Sequence, residues 1–89
     1  MQTKVDFTKE LLAKLYTDFE NKGACDVVLK AYKAVNENPK RIKQEVARMI
    51  VRLDFLVLIN KLILTPSNRE LLNDLRKIAM PNLFNRPTN

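Results

Sequence analysis

Histidine is absent from this chain, and cysteine and glycine occur once each. Without histidine, the commonest general base and the commonest nitrogen ligand for a metal are both missing. A single cysteine, Cys25, allows no intrachain disulfide and offers zinc no second thiolate, which suits a reducing cytosol. Cys25 reads better as a small packing residue near the start of a helix than as an activated thiol. One glycine, Gly23, leaves no glycine-rich phosphate loop and argues against a turn-rich β fold. The carboxylates are not paired inside an apolar stretch, where a raised pKa for acid catalysis would arise; Asp54 has Arg52 and Lys61 as its charged neighbours along the helix. No enzymatic activity, metal or cofactor is therefore expected. No charged-then-apolar leader opens the sequence. The longest nearly apolar run, Leu53 to Leu64, is broken by Asp54, Asn60 and Lys61 and is shorter than the roughly 18 to 20 residues of a spanning helix. The expected location is the cytoplasm.

What is present is helical periodicity. Hydrophobic residues make up 46% of 89 positions, enough for one small core, and they recur at spacings of three and four. The expected architecture is all-α: an antiparallel four-helix bundle forming a single domain over 1–89, with helices over about 6–22, 24–36, 39–64 and 67–79 and an irregular tail over 80–89. Helix one opens at Thr3-x-x-Asp6, carries Phe7, Leu11, Leu12, Leu15 and Phe19 on one side, and ends at Gly23 in a left-handed cap. Helix two turns Val28, Leu29, Tyr32 and Val35 inward. Asn38-Pro39 is a start signal for helix three, which Thr65-Pro66 stops. Ser67-x-x-Glu70 is a capping box for helix four, with Leu71, Leu72, Leu75 and Ile78 inward, and Met80-Pro81 ends it.

Helix three has more apolar surface than a core requires. At 100° per residue, Ile42, Val46, Met49, Ile50, Leu53, Leu56, Val57 and Leu64 form the core side. Asn60 falls among them and is expected to be a buried polar pin, since a buried amide must find partners. The opposite side holds Arg41, Gln44, Glu45, Arg48 and Arg52 in its first half, then Val51, Phe55, Leu58, Ile59 and Leu62. Two readings stand: the tail, through Leu83 and Phe84, covers this greasy stretch, or the stretch is exposed for a partner.

The net charge of +6 points the same way. Met1 to Val35 carries six Lys against five acids, while Asn36 to Asn89 carries ten basic residues against five acidic. A basic domain suits nucleic acid, anionic lipid or an acidic protein face. Nucleic-acid binding or a regulatory role, resting on Lys40, Arg41, Lys43, Arg48 and Arg52, is the alternative reading. It is disfavoured by a helix three too long for a recognition helix and by the lack of interleaved aromatic or amide groups to read bases.

The sequence also resembles a known family. Glu10-Leu11-Leu12-Ala13-Lys14-Leu15-Tyr16-Thr17-Asp18, Val28-Leu29-Lys30-Ala31-Tyr32, Arg52-Leu53, Asn60-Lys61-Leu62 and Glu70 to Ala79 are similar to the pattern of the immunity proteins of pediocin-like (class IIa) bacteriocins, of the enterocin A immunity type. The resemblance implies a cytoplasmic four-helix bundle in a Gram-positive cell, at most peripheral at the inner face of the membrane. Such a protein protects the cell from a pore-forming peptide by binding the bacteriocin-occupied mannose phosphotransferase permease from inside. In that family the C-terminal half decides which bacteriocin is countered. Carried over, this implicates Arg41, Arg48, Arg52, Phe55, Ile59 and Leu62 on helix three and Leu83, Phe84, Asn85 and Arg86 in the tail.

Overall fold

In the computed structural model, which describes residues 3–80, four helices pack against one another, and no strand occurs among the described residues. Helix α1 is Lys4–Asp18, α2 Lys22–Glu37, α3 Ile42–Leu58 and α4 Pro66–Ala79; a single 3-10 turn, Pro39–Arg41, precedes α3. Each helix contacts its chain neighbour, and α4 closes the ring against α1. Contacts between opposite ends fix the directions. Asp18, ending α1, meets Asn68 in the first turn of α4, and Lys9, early in α1, bonds Asn36 at the end of α2. The bundle is antiparallel, as the short connections require.

The core is a ladder of aliphatic side chains. Leu11, Leu12 and Leu15 of α1, Val46, Met49, Ile50 and Leu53 of α3, and Leu72 and Leu75 of α4 are all buried. On α2 the buried stripe is Ala24, Val28, Ala31 and Val35. Of the residues expected inward there, Leu29 and Tyr32 are only half-buried, because the inward stripe of Ala24, Val28, Ala31 and Val35 leaves positions 29 and 32 at its side. Tyr32 is covered instead by Lys9, whose Nζ lies 5.5 Å from its ring centroid. Phe7 is likewise exposed rather than inward.

The helix ends depart most from the expected pattern, and each departure has a local cause. Thr3 caps α1 as anticipated, its Oγ1 accepting from the Asp6 amide at 3.1 Å. The helix ends at Asp18, earlier than expected, and Gly23 does not terminate it: no glycine has positive φ, and Gly23 lies inside the first turn of α2. The cap of α2 is Asn21, whose Oδ1 accepts from the Ala24 amide at 3.0 Å. A Cβ on residue 23 would come within 3.2 Å of that oxygen, so glycine gives the cap room. Asn38 makes no side-chain cap; its carbonyl accepts from the Arg41 amide and Pro39 opens the 3-10 turn.

Helix α3 is also shorter than expected, 17 residues ending at Leu58 rather than Leu64. Asn60 stops it. Its φ is 60°, the left-handed conformation that asparagine tolerates. The Lys61 amide donates back to the Leu56 carbonyl at 2.8 Å and the Asn60 amide to Val57 at 3.1 Å, the paired bonds of a Schellman end. Asn60 is thus exposed and terminates the helix, and the expectation of a buried pin is corrected. Finally, the cap of α4 is Thr65 with Asn68, not Ser67 with Glu70. Pro66 is suited to the first helical position, so the cap must precede it.

Candidate interaction site

With α3 ended at Leu58, its two sides separate cleanly. Ile42, Val46, Met49, Ile50 and Leu53 point into the bundle, and rotation by half a turn brings Val51, Phe55 and Leu58 to the opposite side. No helix among the described residues covers them. Phe55 is 57% exposed and Leu58 79%, with Val51 and Ile59 also exposed. Beyond the Schellman turn the chain is no longer helical, Leu62 is buried at 5% and Ile63 is 89% exposed. Leu62 therefore does not belong to the outer face, because the helix that would have carried it there has already stopped. Ile63 lines an open cavity at that end of the bundle with Asp18, Glu20 and Lys61, away from the outer face of α3.

Arg48 and Arg52, one turn apart, flank Phe55 and Ile59 on the side toward α2. Both are exposed, and neither forms an ion pair among the described residues. With Lys30 of α2 they line a small recess at the α2–α3 seam. Arg41 lies at the far end and is engaged locally, its Nε donating to Gln44 Oε1 at 3.0 Å and standing 4.0 Å from Glu45. On the side toward α4, Asp54 is paired with Arg76 at 2.7 Å, so Arg52 and Lys61 are not its partners. The structure brings together Arg48, Arg52, Phe55 and Ile59, leaves Arg41 apart and removes Leu62. Leu83, Phe84, Asn85 and Arg86, and with them the docked tail, lie outside the described residues.

A second cluster holds this face in position. Asp18 accepts from Ser67 Oγ at 3.0 Å and from the side-chain amide of buried Asn68. Asn68 in turn bonds the Thr65 amide and hydroxyl, closing the capping box. Beside it, Asn21 Nδ2 donates to the Lys61 carbonyl at 2.8 Å. Asn21 and Asp18 thereby tie the segment between α3 and α4 to the connection between α1 and α2, around an open cavity of about 430 Å³. The negative charge of Asp18 also faces the positive end of α4. These partners are far apart in the chain, and no local signal announces them.

Cys25 is half-buried, its Sγ–H directed at the carbonyls of Phe19 and Tyr16 at 3.4 and 3.5 Å. Among the described residues no helix is long and apolar enough to cross a membrane, and no group of three His, Cys, Asp or Glu side chains is placed to hold a metal ion. Comparison with protein-family models, with curated proteins and with solved structures finds no match to this chain.

Proposed function

We propose that the chain is an immunity protein that protects a Gram-positive cell from a pore-forming pediocin-like bacteriocin, binding the bacteriocin-occupied mannose phosphotransferase permease from the cytoplasmic side. The observation that carries the reading is the exposed outer face of α3, where Phe55 and Leu58 stand beside Arg48 and Arg52, which form no ion pair among the described residues. Large apolar side chains clustered on a solvent face mark an interaction surface rather than a core. The resemblance supplies the class of partner, and it covers segments in all four helices, including the Leu-Tyr pair Leu15-Tyr16 in α1 and the Arg-Leu pair Arg52-Leu53 in α3, with Asn60 lying just past the end of α3. On this reading Arg48, Arg52, Phe55 and Ile59 contact the permease complex, with residues 83–86 contributing to the choice of bacteriocin.

Expression in a sensitive strain is expected to raise tolerance to one or a few pediocin-like bacteriocins, while the purified protein leaves the peptides fully active in solution. Phe55→Asp is expected to abolish protection without loss of helical circular dichroism. Unchanged killing across a full bacteriocin panel refutes the proposal. Salt-dependent retardation of duplex DNA, with no protection, would assign the basic residues to nucleic acid instead.

A further inference from the structure

We infer that the seam between α1 and α2 holds a second site, a recess that takes one neutral aromatic ring bearing a hydroxyl, a small molecule of the phenol class. The recess is about 210 Å³ and is lined by Leu12, Ala13 and Tyr16 of α1 and by Val28, Leu29 and Tyr32 of α2. No residue of α3 borders it, so it is separate from the outer face of that helix.

The recess owes its existence to one small residue. Leu12 and Val28, both fully buried, form its floor, while Ala13 is exposed and offers only a methyl group where a longer side chain would fill the seam. Both tyrosines of the chain flank that gap. Each stands in the later half of its own helix, and the two helices are antiparallel, so Tyr16 and Tyr32 approach the recess from opposite ends. Lys9 holds the second ring to the seam: its Nζ donates to Asn36 Oδ1 at 2.8 Å and stands 5.5 Å from the Tyr32 ring centroid.

Size limits the occupant to a single ring. An engineered cavity of about 150 Å³ with an aliphatic and aromatic lining binds benzene, whereas sites for drug-sized ligands run to about 300–1,000 Å³. At about 210 Å³ this recess has room for a ring and a short substituent. The lining sets the character of that ring. No charged side chain borders the recess, so an ionised ligand would lose water without meeting a counter-charge. Tyrosine rings favour another aromatic, in offset-stacked or edge-to-face contact. The hydroxyls then select a polar handle. That of Thr17 is committed to the Ala13 carbonyl at 3.0 Å, but those of Tyr16 and Tyr32 have no protein partner among the described residues. A phenolic hydroxyl both donates and accepts, so a ring hydroxyl at either end of the recess meets a tyrosine able to pair with it.

The test is titration of the full chain with phenol, followed by proton–carbon NMR. Saturable shifts are expected at the methyl groups of Leu12, Ala13, Val28 and Leu29 and at both tyrosine rings, with a Kd of about 1 mM, within the limit for a ligand of so few atoms. Toluene, which lacks the hydroxyl, and cyclohexanol, which lacks the aromatic faces, are each expected to bind severalfold more weakly. Ala13→Phe fills the gap from an exposed position and is expected to weaken phenol binding about tenfold or more, with circular dichroism unchanged. Tyr16→Phe with Tyr32→Phe keeps both rings and is expected to bring phenol down to the level of toluene while leaving toluene unchanged. Shifts that never saturate, or equal binding of phenol by Ala13→Phe, overturn the inference. Cyclohexanol binding as tightly as phenol overturns the aromatic assignment. N-acetyltyrosine amide carries the same ring on a peptide backbone and is expected to bind no more tightly than phenol; tighter binding would overturn the small-molecule assignment and give the recess to an aromatic side chain of a protein partner.

Discussion

The inner and outer faces of α3 are built from the same kinds of residue and differ only in what lies against them. Inward, Val46, Met49, Ile50 and Leu53 are at most 1% exposed; outward, Val51, Phe55, Leu58 and Ile59 are between 42% and 79% exposed. Hydrophobicity alone therefore does not place a side chain in this bundle. The ring of contacts from α1 through α4 uses one side of α3, and no helix among the described residues meets its other side. Burial of an aliphatic side chain stabilises by roughly 1.5–3 kcal/mol, so the inner face holds the fold together. The outer face gains little of that energy and is free to serve a partner.

Truncation on each face tests that division, and the largest effect is expected on the inner one. Leu53→Ala removes a side chain that is buried in the core and should cost about 2–5 kcal/mol, lost transfer energy plus the cavity left behind. Phe55→Ala, two residues along the same helix, should change stability by no more than about 0.5 kcal/mol. Urea denaturation followed by circular dichroism measures both. Comparable losses for the two variants would mean that Phe55 is covered in solution, and the two-faced description of α3 would be wrong.

Smaller, and directed at how the outer face is held, is the effect expected at the junction of α1 and α4. Asp18→Ala leaves the side chains of Ser67 and buried Asn68 without their acceptor and takes a negative charge from the positive end of α4. About 1–2 kcal/mol of stability should be lost, a Tm shift of about 5–15 °C for a domain of this size. Asp18→Asn, which keeps an acceptor oxygen but not the charge, should recover part of it. A Tm unchanged in Asp18→Ala would show that the capping box of Thr65 and Asn68 stands without Asp18.

Period and composition made much of this structure legible in advance: four helices, their order, the core residues of α3 from Ile42 to Leu53, and the anomalous apolar stretch opposite them. Helix ends were less legible, because a cap is a competition between neighbouring candidates. Gly23 and Asn21 both could act at the first connection, and Thr65 and Ser67 both could cap α4; backbone geometry, through Pro66 and the crowding at Gly23, selected the winner. Least legible was the junction of Asp18, Asn21, Lys61 and Asn68, whose partners are separated by 40 and 50 residues in the chain. Polar residues in loops carry no periodicity to betray such contacts.

One misplaced helix end accounts for the misplacement of Leu62. A helix continued through Asn60 would carry Leu62 to the outer face, whereas the left-handed turn at Asn60 sends Leu62 into the core and Ile63 out. The smallest effect we expect is therefore at residue 60. Asn60→Ala places a Cβ-bearing residue without a compensating amide in the left-handed region and should cost about 1 kcal/mol. Asn60→Gly, for which that conformation is free of strain, should leave stability within about 0.5 kcal/mol of the wild type. If Asn60→Ala were as stable as the wild type, the turn would owe its position to Leu62 burial and to the Asn21 bond on the Lys61 carbonyl rather than to residue 60. The boundary between the inner and outer surfaces would then be set by long-range packing, and Leu62→Ala would become the substitution that moves it.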